Sequence, residues 1–449
     1  MLKDFFPNIN KTIKVIIKKI ISTSLVAGSL NFLSNILFLR HVDKYEYGLY
    51  IILIGVFALS NRLTLSVDNS VLRFQRNKWP EESYFLITSF LIKLFIYILV
   101  SLISYSTINT FPELLNLDKN DLFKKIIFFT IIFSCLDGVN SFLLNSARAK
   151  LKYSLIFKTN TITSFLFMVM ILIITYIFNA DIIFYIWATC IVALIQILSY
   201  GSTISLAKTK KIKKLLYLQY YFKNYFKKYT LPLTGNHFFA YLSKDHGPNI
   251  ILGSFFGPEK IAALSIVRYI FDFFHNNVGN FMQKLIPVYH NFKNTLDTSI
   301  LKKIFFLGNF FYLIIGFTVI FFKDFYLPFF KLEVNLFYSL ILTILTLEFI
   351  FKFSNLYLTY SILLSKDTFA LLIASIIRTI VTILFFLIGI NLNDFFISII
   401  GFGFGILSSA PILLVYSSPE KKFVEVNFII IINLLCYIAL FNYIFFKTN

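Results

Sequence analysis

The sequence predicts an all-α polytopic membrane protein, two six-span halves followed by a thirteenth C-terminal span. Three observations carry this reading. Of 449 residues, 58% are hydrophobic and 14% charged, a balance that suits a lipid-embedded chain rather than a water-soluble domain. Apolar segments of the length that crosses a bilayer, about 20 residues, recur along the whole chain with short connections between them. Near the middle, KTKKIKKLLYLQYYFKNYFKK (208–228) carries eight lysines, no acid and six tyrosines or phenylalanines. Each lysine at the bilayer centre costs roughly 2.5–3.5 kcal/mol, so this block lies outside the hydrocarbon and divides the chain.

The first nineteen residues, MLKDFFPNINKTIKVIIKK, are basic, and the apolar run after them continues to Leu39. That run is too long for the core of a cleaved signal, which makes it a retained first span. The spans of the first half fall near 20–40, 47–69, 84–109, 122–146, 154–178 and 182–206. Those of the second fall near 230–255, 260–283, 303–322, 334–363, 367–390 and 394–417, with the appended one near 424–446. The expected organisation is a cytoplasmic basic N-terminus (1–19), an N-terminal six-helix bundle (20–206) and a basic cytoplasmic connection (207–229). A C-terminal six-helix bundle (230–417) and a C-terminal transmembrane helix (418–449) complete it.

Lysine and arginine in alternate connections favour the side holding the N-terminus and 208–228 by roughly three to one, which places that side in the cytoplasm. Leu215, Leu218, Phe222 and Tyr225 recur at helical spacing within the central block, so it reads as an amphipathic segment along the anionic inner leaflet. A net charge of +20 would suggest a nucleic-acid partner in a soluble chain. Here orientation and anionic lipid account for it, and no nucleic acid is expected. Cys135, Cys190 and Cys436 fall inside apolar segments without metal or disulfide spacing and read as packing residues.

Each half opens with a similar passage: FLRHVDKYEYGLYIILIGVFAL in the first and LGSFFGPEKIAALSIVRYIFDF in the second. Glu46 aligns with Glu259, with a small residue, Gly48 or Ala262, close by in each. Internal repeats of this kind are a common way to build transporters, with the substrate path between the repeats.

Ionisable residues at mid-bilayer depth are functional candidates by default, because they face protein or water. The seventh span holds His237, Lys244, Asp245 and His246, interrupted by Gly247 and Pro248. The eighth holds Arg268, Asp272 and His275 at i, i+4 and i+7, on one helical face. Glu348 and Lys352 lie at i, i+4 on the tenth, and Arg378 near the centre of the eleventh. The first half contributes Arg62, Asp68, Lys93 and Asp137. Arg268–Asp272 and Glu348–Lys352 also read as neutralising pairs that lock helices, and Lys93 as a side chain that snorkels to the headgroups.

The chain resembles the polysaccharide and O-antigen flippases of the multidrug/oligosaccharidyl-lipid/polysaccharide (MOP) exporter superfamily. The resemblance rests on the basic N-terminus leading into the first span, the RHVDKYEYGLY passage, VDNSVLRFQ with Arg73, the lysine-rich mid-chain connection, and LIPVYHNFKN with Pro287. It covers most of the chain. It implies two six-helix bundles forming a V around a central cavity, and translocation of an undecaprenyl-pyrophosphate-linked oligosaccharide repeat unit across the inner (plasma) membrane by alternating access. Such repeat units serve O-antigen lipopolysaccharide, capsule or a related polysaccharide. Implied partners are the lipid-linked substrate, membrane lipid, a polysaccharide polymerase and a chain-length regulator. The thirteenth span departs from relatives, which commonly have 12 or 14.

For such a substrate the expected cavity residues are Arg62, Arg268, Arg378, Lys244, His237 and His275, since forked, charge-assisted pairs bind phosphate oxygens. Arg268 and Arg378 are expected to line one cavity, with Asp272 setting the position of Arg268. Asp245, Asp272 and Glu348 are the expected sites for a coupling proton or cation. No Walker sequence, HExxH or paired-cysteine motif is present, so no cofactor, metal or enzymatic activity is expected. Two other readings remain open: a cation-coupled drug or metabolite exporter of the same superfamily, which favours an acidic cavity, and an integral-membrane glycosyltransferase or polymerase, which favours a large extramembrane loop.

Overall fold

A computed structural model describes residues 26–74, 82–110, 121–202, 222–244, 246–291, 298–365 and 368–417. The thirteenth span, the N-terminal nineteen residues and most of the basic connection lie outside them. Among the described residues every regular element is helical. In the first half these are α1 (Val26–Leu39), α2 (Lys44–Phe74), α3 (Glu82–Thr110), α4 (Asp121–Ala149), α5 (Tyr153–Ile177) and α6 (Ile182–Gly201). The second half has α7 (Leu231–Ser243), α8 (Gly247–Phe256), α9 (Pro258–Asn291), α10 (Thr298–Phe321), α11 (Lys323–Phe329), α12 (Leu336–Ser365), α13 (Thr368–Asn391) and α14 (Phe395–Ser417). Eight of the described helices are long and apolar enough to cross a membrane, nine with the α10–α11 pair counted as one span. The protein is a multi-pass membrane protein.

Two expected spans are broken. The seventh divides into α7 and α8, because Gly247 runs against the end of α7: a Cβ there would lie 2.7 Å from the Tyr241 carbonyl oxygen and 2.8 Å from Leu242 Cα. Pro248 follows at the first turn of α8, where its missing N–H costs nothing. The ninth span ends in α11, bent 79° from α10.

Short turns join the spans, and their chemistry repeats between the halves. α5 ends in left-handed Asn179 and Ala180, and Asp181 then caps α6 by accepting from Ile183 N at 2.6 Å. α13 ends in left-handed Asn393, and Asp394 caps α14 by accepting from Phe396 N at 2.8 Å. Such carboxylate caps satisfy amide groups that a helix start leaves open. The register that places Glu46 over Glu259 also places Asp181 over Asp394, and α2 and α9 begin within one residue of it.

At the end bearing the α1–α2 and α8–α9 turns, called upper here, the two halves share a core. One hydrophobic core runs through both, from Leu49, Ile52, Leu53 and Phe57 of α2 to Ile261, Leu264, Val267 and Phe271 of α9. Gly48 is required in this seam, since any Cβ would overlap the backbone of Pro258. Two lateral seams continue downward. α1 meets α9 through stacked rings, Phe32 with Tyr269 and Phe273, while α2 meets α7 through small hydroxyls.

Candidate functional site

Buried charge in the second half gathers where α9, α12, α13 and α14 pack together. Arg268 of α9 reaches across to Glu348 of α12 at 3.4 Å, and Lys352 binds the same carboxylate at 3.0 Å. Lys352 also reaches back to Asp272 at 3.5 Å. The expectation that Asp272 positions Arg268 is therefore corrected. Side chains one turn apart lie side by side on α9, and each finds its nearer opposite charge on the facing helix. The Glu348–Lys352 pair is present, as one side of a four-membered network. Glu348 is 1% exposed, whereas the Asp272 side chain is 38% exposed. The Arg268 guanidinium also lies 4.4 Å from the centre of the Phe402 ring on α14, an arrangement that stabilises a desolvated cation.

Arg378 of α13 is buried and donates to Ser409 Oγ of α14 at 2.8 Å, an oxygen that also receives Asn355 Nδ2 at 3.1 Å. Gly405 leaves room for its stem, since a Cβ there would approach Arg378 Cγ at 3.3 Å. Arg268 and Arg378 thus both reach α14, at Phe402 and Ser409, and Arg378 lies within electrostatic reach of Glu348. Both guanidiniums belong to the interior of the second half, at 6% and 4% exposure.

The first half has its own charged group, between α2, α3 and α4. Lys93 does not snorkel: it is 2% exposed and bonds Asp68 at 2.7 Å and Ser141 Oγ at 2.6 Å. A carboxylate facing it from α2 holds the ammonium in place, so the headgroups offer nothing better. Two turns from Asp68, Arg62 lines a cavity of about 330 Å³ with Asn61, Tyr97, Asp137, Ser141 and His246. Asn61 donates to Asp137 at 2.5 Å. His246 comes from the other half and enters this cavity from the break between α7 and α8.

The remaining expected residues are spread along the seams. His237 of α7 meets Asn69 Nδ2 of α2 at 3.1 Å. Ser66–Thr234 at 2.6 Å and Ser70–Thr230 at 2.8 Å continue that seam. His275 meets the Tyr312 hydroxyl at 3.2 Å inside the second half. Lys244 ends α7 at the break, and Asp245 lies outside the described residues. On the other seam Asn35 donates to the Tyr269 hydroxyl at 2.8 Å and accepts from Tyr185 at 3.0 Å, a bridge between the halves that sequence reasoning missed. The sequence signal for His246 was the Gly-Pro pair directly after it. Asn35 and Ser409 carry no such signal.

No protein-family model and no curated protein sequence matches the chain. Solved structures do. An outward-facing multidrug resistance MATE family transporter of the MOP superfamily aligns over 92% of this chain and 96% of its own, at 13% identity and a TM-score of 0.66. The chain has the MATE transporter fold. An inward-facing MATE structure aligns over 92% of this chain and 98% of its own, at 11% identity and a TM-score of 0.61. A MOP superfamily transporter from Pyrococcus furiosus, described as having a binding pocket of reverse polarity that suggests a different function, aligns over 93% and 96%, at 13% identity and a TM-score of 0.65. The MATE fold agrees with the expected two-bundle architecture.

Proposed function

We propose that the chain is a MOP-type flippase that carries an undecaprenyl-pyrophosphate-linked oligosaccharide repeat unit across the plasma membrane by alternating access. The observation that carries this reading is the charge balance of the described interior. Asp68 is held by Lys93, Asp137 faces Arg62 and Lys93, Asp272 binds Lys352, and Glu348 binds both Lys352 and Arg268. Arg378 adds a further cation within electrostatic reach of Glu348. An organic cation would need a carboxylate to neutralise it, and these carboxylates already have basic partners. A pyrophosphate anion instead gains from arginine and lysine in a low-dielectric site. The polymerase and the chain-length regulator are its proposed partners downstream.

Structural similarity to multidrug transporters favours a second reading, an exporter of cationic drugs. Deleting the gene distinguishes the two. A flippase deletion removes the surface polymer and leaves the lipid-linked oligosaccharide on the cytoplasmic leaflet. Normal surface polymer together with hypersensitivity to cationic drugs would establish the exporter instead.

A further inference from the structure

We propose that the cavity beside His246 is a subsite for one sugar ring bearing a carboxylate, and that the subsite is divided between the two halves. The inference rests on the flippase reading and narrows its substrate. At about 330 Å³ the cavity sits at the small end of ligand pockets, which run from roughly 300 to 1,000 Å³. It has room for a single ring rather than a whole repeat unit. Its walls supply the three kinds of group that a charged sugar uses. Asn61 and Asp137, joined at 2.5 Å, offer an amide and a carboxylate to ring hydroxyls. The Tyr97 ring gives a flat apolar surface against which C–H groups of a pyranose can lie. Arg62, whose five N–H donors can serve a second carboxylate besides the Asp137 it already faces, and His246 bring a guanidinium and an imidazole, the groups that pair with a carboxylate.

Asn61, Arg62, Tyr97, Asp137 and Ser141 belong to the first half, and His246 alone to the second. It is placed there by the break in the seventh span: Tyr241, one turn before the break, donates to the Gly55 carbonyl at 2.9 Å, and a Cβ at Gly55 would lie 3.4 Å from the His246 carbonyl oxygen. A ring held by Arg62 on one side and His246 on the other binds only while α2 and α8 stay together. Binding then favours the conformation in which the upper seam is closed, by its differential affinity for that state.

Thermal denaturation of the full-length protein in lipid nanodiscs, titrated with methyl β-D-glucuronide or methyl β-D-glucoside, tests the subsite. Wild type is expected to respond to the glucuronide at roughly tenfold lower concentration than to the glucoside, the loss of one charge-assisted bond being about that large. Arg62→Gln and His246→Gln each bring the glucuronide response down to that of the glucoside. Asp137→Asn weakens both sugars alike. Equal responses to the two sugars, no response at all, or a glucuronide preference that survives both Arg62→Gln and His246→Gln would overturn the subsite. A variant that fails to fold is recognised by its own melting curve without sugar, and the other substitution then decides. The deletion phenotype is scored separately. Lost surface polymer with failed sugar titrations removes the subsite and leaves the flippase reading standing, whereas normal polymer removes that reading and the subsite with it.

Discussion

Asp68 and Lys93 form a 2.7 Å ion pair with side chains 0% and 3% exposed, tying α2 to α3, with Ser141 of α4 bonded to both. Breaking such a pair from one side leaves a buried charge without compensation, at a cost of roughly 3–5 kcal/mol. Lys93→Met is therefore expected to lower the melting temperature of the purified protein sharply, and Asp68→Asn combined with Lys93→Met to recover much of the loss. A Lys93→Met variant as stable as wild type would show that the pair contributes nothing to the fold.

Lys352 serves two carboxylates at once, Glu348 at 3.0 Å and Asp272 at 3.5 Å. Lys352→Gln is expected to impair transport more than Asp272→Asn, because the latter removes the half-exposed end of the network and the former its centre. Polymer export in the complemented deletion strain measures both. Export by Asp272→Asn lower than by Lys352→Gln would assign Asp272 a role of its own, such as carrying the coupling proton.

Arg268 and Arg378 contact α14 by different chemistry, one over the Phe402 ring and the other through Ser409. Arg268→Gln and Arg378→Gln are expected to abolish export while the protein remains in the membrane. Lysine restores part of it at both positions, since the charge returns without the fork. Wild-type export by both glutamine variants would reduce these arginines to helix packing.

Gly48 meets the backbone of Pro258 at the upper seam, where no side chain fits. Gly48→Val is expected to hold that end apart, so that a cysteine placed at Ile52, which is fully buried, becomes reactive to a water-soluble maleimide. Unchanged protection of Ile52→Cys in the Gly48→Val background would mean that the seam is not a gate.

The orientation of the chain rests on its basic connections. Lys211→Cys, in the lysine-rich block, is expected to react with an impermeant reagent only after the cells are opened. Labelling from outside intact cells would invert the topology.

Eight of the described spans were legible because about 20 apolar residues in a row have few alternatives to a membrane helix. The register of Glu46 and Glu259 was legible, and it also relates the Asp181 and Asp394 caps. The charged positions were visible for the same reason as the spans, since a charge in an apolar run stands out. Their partners were not. Helical spacing pairs Arg268 with Asp272, but a one-turn neighbour competes with every charge on the facing helices, and only tertiary packing brings Glu348 to Arg268. Lys93 shows the same limit: its sequence surroundings suit a snorkelling side chain, and the carboxylate that captures it lies on another helix. The break at Gly247 was visible as a Gly-Pro pair, while its effect of directing His246 into the other half's cavity was not.

The caps made by Asp181 and Asp394 hold a further consequence. Glu46 and Asp181 are separated by as many residues as Glu259 and Asp394, so the two halves match in length between these markers. A chain formed by fusing two copies of one six-span ancestor would have this property, and its central contact would descend from an isologous dimer face. In such a dimer the α1–α9 and α2–α7 seams would have been identical. Here one is built of aromatic rings and the other of hydroxyls. A single chain lets the two seams differ in chemistry, which a symmetric pair of identical subunits could not do.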